Sequence, residues 1–117
     1  MSYVDGFLLA VPKDRIEDYK KMATLGAEVW MDHGALAYSE CIGDDVPHGE
    51  LTSFPRAVQA KDDEVVIFSW ILYRSREHRD EVNAKVMKDK RLEGQMKYAP
   101  FDGKRMIFGG FEQVIVR

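Results

Sequence analysis

The 117-residue sequence predicts an α+β fold: a ferredoxin-like βαββαβ plait, with a four-stranded antiparallel sheet and two helices on one face. Three observations lead there. Strand and helix signals alternate in the order β-α-β-β-α-β. Two βαβ halves with right-handed crossovers then interleave their strands into one antiparallel sheet. Finally, "EVVIFSWILYR" is apolar on both alternating faces, with Val65, Ile67 and Ile71 on one and Val66, Phe68, Trp70 and Leu72 on the other. A strand apolar on both faces is buried on both. Helices cover only one side of this sheet, so the other needs a partner. At about 25 cal/mol per Å², covering roughly 500 Å² is worth on the order of 10 kcal/mol before association costs. A two-fold homodimer, sheet against sheet, is the simplest closure.

Each element has its own signal. Tyr3 to Val11 reads as the first strand. Pro12 stands where a first helical turn tolerates it, and Asp14 and Glu17 suit a helix N-terminus. Ile16, Tyr19, Ala23, Gly26, Trp30 and His33 recur at steps of three and four, which predicts a helix over 13–33, and Gly34 ends it as a C′ residue. Ala35 to Ile42 is the second strand and leads into a loop punctuated by Pro47, Gly49 and Pro55. "EVVIFSWILYR" is the third strand. Ser75 is a good N-cap for a second helix reaching to about Lys88. Asp102–Gly103 makes a turn, and "RMIFGGFEQVIV" is the last strand, where Gly109–Gly110 suggests a bulge or a close approach. There is no strict repeat and no low-complexity segment, so the expectation is a single domain over 1–117.

Composition narrows the function. A net charge of −3 argues against a duplex nucleic-acid binder, which must neutralise several phosphates. Residues 74–91 carry a local excess of three positive charges, read as a solvated helix face. Cys41 is the lone cysteine, which fits a reducing, cytoplasmic setting. The N-terminus lacks a basic n-region, and the longest uncharged run, Val65 to Tyr73, has nine residues, against the roughly 20 of a spanning helix. Neither export nor membrane insertion is expected.

The loop "ECIGDDVPHGELTSFP" invites a metal reading, since it gathers Glu40, Cys41, Asp44, Asp45, His48 and Glu50. One Cys and one His do not make a zinc pattern, and adjacent Glu40 and Cys41 on a strand point to opposite faces. "DDVPHGE" does not match a calcium loop either. The loop reads as a solvated turn, and no metal or cofactor is expected. Cys41 reads as a small packing residue, not a nucleophile. Ser69 and His78 form no triad, and no glycine-rich phosphate loop follows the first strand.

His33 extends the apolar stripe of the first helix, three residues after Trp30. It either caps the helix C-terminus or serves as a base in a pocket. Arg79 and Asn83, four apart, share a side of the second helix. A buried Arg79 needs a carboxylate, and strand alternation nominates Glu40 or Glu112. It then either ties helix to sheet or anchors an anionic or carbonyl-bearing ligand. Trp30 and Trp70 are core residues or the walls of an aromatic pocket. The candidate ligand pocket, between helices and sheet, is therefore Trp30, His33, Glu40, Trp70, Arg79 and Asn83.

"MSYVDGF", "DHGAL-Y-EC-GDDV", "FSWI-Y-SR-HRD-VNAKVM" and "FDGKRMI-GGFE" together resemble the YbaA-like family of small bacterial proteins, a domain of unknown function (DUF1428). The resemblance spans nearly the whole chain. It implies the dimeric α+β barrel superfamily, in which two plaits join their sheets into one barrel. Some members of that superfamily are cofactor-free monooxygenases, others bind haem or degrade small aromatics. No catalytic residues carry over. Two functions follow as expectations: a small-molecule pocket in each subunit, serving a cofactor-free monooxygenase-like or isomerase-like enzyme, or a non-catalytic homodimeric interaction module. An enclosed cavity with an imidazole and an unpaired guanidinium favours the first. A fully paired Arg79 and a filled cavity favour the second.

Overall fold

The computed structural model describes residues 1–117 and contains four strands: β1 (Tyr3–Pro12), β2 (Ala37–Ile42), β3 (Glu64–Tyr73) and β4 (Ile107–Glu112). Three α-helices join them: α1 (Ile16–Asp32), the one-turn α2 (Phe54–Ala57) and α3 (Arg76–Met87). The sheet order is β2-β3-β1-β4 and every pairing is antiparallel. This is the ferredoxin-like plait.

The termini follow local chemistry. Pro12 closes β1, and a 3-10 turn at Lys13–Arg15 leads into α1. His33 is the C-cap of α1, and Gly34 follows at φ 109°, a left-handed value suited to glycine. The Ser75 side chain accepts a hydrogen bond from the His78 backbone N–H at the start of α3. At Gly109–Gly110 the β1–β4 register runs without a bulge. The close approach is real, however: a Cβ on Gly110 would lie 2.6 Å from the Tyr3 ring.

Register fixes the two faces. Tyr3, Asp5, Phe7 and Leu9 of β1 stand opposite Tyr73, Ile71, Ser69 and Ile67 of β3, and Glu40 of β2 stands opposite Ser69. These point toward α1 and α3. Two core clusters lie on this side, one around Val29, Ile71, Tyr73, Val82 and Val86, the other around Leu9, Val11, Tyr19 and Ile67.

The other face carries Val4, Leu8 and Ala10 of β1 and Val66, Phe68, Trp70 and Leu72 of β3. At one end it is covered by the 43–60 segment, where Val58 is buried against Ala10 and Val66. Phe54 packs edge-on to Phe68. The loop thus includes a helical turn that the sequence reading lacked, N-capped by Ser53 with Pro55 in its first turn. Arg56 ties the loop down by donating to the His48 and Gly49 carbonyls. The rest of the outer face is open: Ile107 is 44% and Phe111 62% exposed, and even Phe68, beside Phe54, is 45% exposed. Cys41 is also exposed, on edge strand β2, rather than packed as expected. No three His, Cys, Asp or Glu side chains converge. No helix is long and apolar enough to cross a membrane.

Candidate functional site

A cleft of about 780 Å³ lies between the helices and the inner face of the sheet. That is within the range of small-molecule sites. Its floor is Asp5, Phe7 and Leu9 of β1, Ser69 and Ile71 of β3, and Tyr38 and Glu40 of β2. One wall is α1, through Tyr19, Met22, Ala23, Gly26 and Trp30, and another is α3, through Arg79, Asn83 and Val86. The segment between α3 and β4 closes it with Leu92, Met96, Phe101 and Met106. Four methionines line the cleft (Met22, Met87, Met96 and Met106), and such flexible thioethers adapt to varied apolar shapes.

Two polar groups sit in this apolar setting. At one, Glu40 is held by two hydroxyls: Tyr19 donates to its Oε1 at 2.6 Å and Tyr38 to its Oε2 at 2.7 Å. Burial first, and the Glu40 charge second, push both phenols well above the ordinary tyrosine value, so they stay protonated donors. Each tyrosine leans on another ring: Tyr19 is edge-on to Phe101 at 5.9 Å and Tyr38 is tilted against Trp30 at 6.2 Å.

At the other, Arg79 Nη1 donates to Asp5 Oδ1 at 2.6 Å and its Nε to Asp80 Oδ1 at 2.8 Å. The guanidinium also lies 4.9 Å from the Tyr3 ring centroid, within cation–π range. Burial raises the Asp5 carboxyl above its ordinary value, and Arg79, Tyr73 and Asn83 act against that rise. Asn83 Oδ1 accepts from Trp30 Nε1 at 3.1 Å and from the Tyr73 hydroxyl at 3.3 Å.

Of the six residues nominated from sequence, Trp30, Glu40, Arg79 and Asn83 line the cleft; His33 and Trp70 do not. His33 stands at the end of α1 with Nε2 2.7 Å from Asp89 Oδ2. Asp89, held well below its ordinary value by Arg91 and then His33, is at the cleft rim. Trp70 is on the outer face because Ser69 and Ile71, its neighbours, face the cleft. Arg79 pairs with Asp5 and Asp80, not with Glu40 or Glu112, since Asp5 of the central strand lies beneath α3. Sequence reasoning missed Asp5, Tyr19 and Tyr38 as site residues. Asp5 carried a legible signal: strand alternation groups it with Tyr3, Phe7 and Leu9, so its charge faces the core.

Comparison with known proteins places the chain. Residues 2–103 match the family model "Protein of unknown function (DUF1428)". The chain is 50% identical over 115 residues to "Uncharacterized protein YbaA" of Escherichia coli (strain K12), covering 98% of both chains. The same figures hold for YbaA of Shigella flexneri. It belongs to the YbaA-like DUF1428 family. Among solved structures it is similar to "Putative antibiotic biosynthesis monooxygenase from Nitrosomonas europaea", with a TM-score of 0.59 at 14% identity over 97% of this chain and 90% of that one. It is also similar to "De novo designed protein Foldit4", with a TM-score of 0.51 at 8% identity over 97% and 99% of the two chains. At these identities the likeness is one of fold, and it is the α+β plait described above.

Proposed function

We propose that each subunit of a homodimer binds a small, mainly apolar molecule in the helix–sheet cleft, and that Glu40 handles a proton there in a cofactor-free, isomerase-like reaction. The observation that carries this reading is Glu40 itself. Its carboxylate lines a cleft of about 780 Å³, held by two tyrosine hydroxyls rather than by a cation. Each carboxylate oxygen has a further lone pair to offer a ligand. A carboxylate that takes a proton from one ligand atom and returns it to another needs no outside oxidant. Because Tyr19 and Tyr38 stay protonated, they fix the orientation of Glu40 and do not compete as bases.

The homodimer rests on the outer face. Outward positions from Val4 to Ala10 and from Val66 to Leu72 carry no charge, and neither do Ile107, Gly109 and Phe111. A second copy offers the same uncharged, self-complementary surface, which a two-fold axis requires. The dimeric α+β barrel is the arrangement in which both copies bury it. A Phe68→Asp variant is expected to sediment as a monomer where the parent sediments as a dimer; a monomeric parent overturns the arrangement.

A thermal-shift screen of small apolar metabolites tests the cleft. A ligand at about 100 times its dissociation constant adds roughly 2.7 kcal/mol. The hit is expected to be converted by the parent and not by Glu40→Gln. Conversion undiminished in Glu40→Gln overturns the proton role. A second reading, a non-catalytic interaction module, has two observations in its favour: Arg79 is paired with Asp5 and Asp80, and the His33 imidazole lies outside the cleft. A screen without hits, together with a stable dimer, would select it.

A further inference from the structure

Four carboxylate residues of this chain are buried or half-buried: Asp5, Glu40, Glu64 and Asp89. Three have cations within ion-pair distance. Asp5 has Arg79, Glu64 has Arg105, and Asp89 has Arg91 and His33. Glu40 has none; its bonds come from Tyr19 and Tyr38. Inside the cleft, Asp5 is joined to Arg79, whereas Glu40 has no cation within ion-pair distance. A half-buried carboxylate without a counter-charge is costly unless something cationic joins it.

The surroundings of Glu40 suit such a guest. Tyr19, Tyr38, Trp30 and Phe101 all line the cleft, arranged as two aromatic pairs on the two tyrosines that hold the carboxylate. A carboxylate in an aromatic-lined cleft suits an ammonium group, which the ring quadrupoles and the charge attract together. The one guanidinium lining the cleft is already shared between Asp5, Asp80 and the Tyr3 ring, so it is not free for an anion. We infer that the ligand of this cleft is an amine: an apolar, ring-sized scaffold carrying a protonated nitrogen that docks on Glu40 among these four rings. The inference rests on the cleft being a small-molecule site, as proposed above, and adds the sign of the ligand's charge.

Three probes of matched shape separate the two claims: tryptamine, tryptophol and indole-3-propionate, cationic, neutral and anionic respectively. Binding to the full chain is followed by calorimetry and by saturation-transfer NMR. Tryptamine is expected to bind about tenfold or more tighter than tryptophol, and indole-3-propionate weakest. Glu40→Gln is expected to bring tryptamine down to the level of tryptophol, leaving tryptophol unchanged. A far-UV circular-dichroism spectrum and an unfolding midpoint close to the parent's guard against a misfolded Glu40→Gln. If tryptophol binds and tryptamine binds no tighter, the amine inference fails while the cleft reading stands. Indole-3-propionate binding as tightly as tryptamine overturns it equally. If none of the three binds, the inference falls together with the cleft reading.

Discussion

Asp5 and Glu40 lie on the same face of one sheet, line the same cleft and have opposite kinds of company. Asp5 is 6% exposed and joined to a guanidinium that is itself shared with Asp80 and lies over Tyr3. Glu40, on edge strand β2, is joined only to phenols. The first constellation is closed: its charges are satisfied by the protein, and it ties α3 to β1. The second is open: its geometry is fixed but its charge is not answered. Two carboxylates on one face therefore divide into one answered by a cation and one held only by hydroxyls.

Removing Arg79 should break that contrast most severely. Arg79→Ala leaves Asp5 buried without its counter-charge, and loss of one partner of such a pair costs about 3 kcal/mol or more. Urea unfolding should show that loss at neutral pH. The deficit should shrink on acidification, because a protonated Asp5 needs no cation. The sign follows from the raised Asp5 carboxyl: a group whose folded value exceeds its unfolded one contributes stability below the unfolded value and loses it as pH rises through the folded one. A deficit independent of pH would mean that Arg79 acts by packing alone.

Glu64 sharpens the contrast from outside the cleft. It is gripped by both terminal nitrogens of Arg105 at 2.7 and 2.8 Å, and its carboxyl is held down to about 2, chiefly by that bond. A lowered carboxyl contributes stability above its ordinary 4.5 that is lost as pH falls through about 2. Glu64→Gln should cost about 2 kcal/mol at neutral pH, the scale of a charged hydrogen bond. It should also flatten the acid limb of the unfolding curve between those two values.

Glu40→Gln should be milder, about 1 kcal/mol, because the amide oxygen still accepts from one tyrosine and the amide nitrogen can donate to the other. A loss as large as that of Arg79→Ala would place Glu40 among the structural pairs, and the distinction between the two carboxylates would vanish.

The strands, the two long helices and their order were legible because periodicity and capping are local. A strand apolar on both faces predicts a cover on each side of the sheet, but not which face turns to the helices. That ambiguity misplaced Trp70, and the tie is broken only by the register that sets Ser69 beside Glu40. That a buried Arg79 needs a carboxylate is legible, but the choice among strands depends on the crossing of α3 over β1, which no spacing encodes. Tyr19 lies in the predicted stripe of α1, and nothing local shows its hydroxyl reaching across to β2. The closing wall from Leu92 to Met106 runs through short 3-10 turns without a period, and was invisible for that reason.

Trp30 touches both constellations. Its ring leans on Tyr38, at the Glu40 end, while its Nε1–H donates to Asn83, at the Asp5 end. Trp30→Phe keeps an aromatic face and removes the donor. Asn83 Oδ1 still accepts from Tyr73, so no buried acceptor is orphaned, and the cost should be the smallest of the series, about 0.5–1 kcal/mol. A double-mutant cycle of Trp30→Phe with Arg79→Ala should then show a coupling through Asn83, whereas the cycle with Glu40→Gln should be additive to within about 0.5 kcal/mol. Strong coupling in the second cycle would join the two ends into one network through the indole, and the closed pair would no longer be independent of the open one.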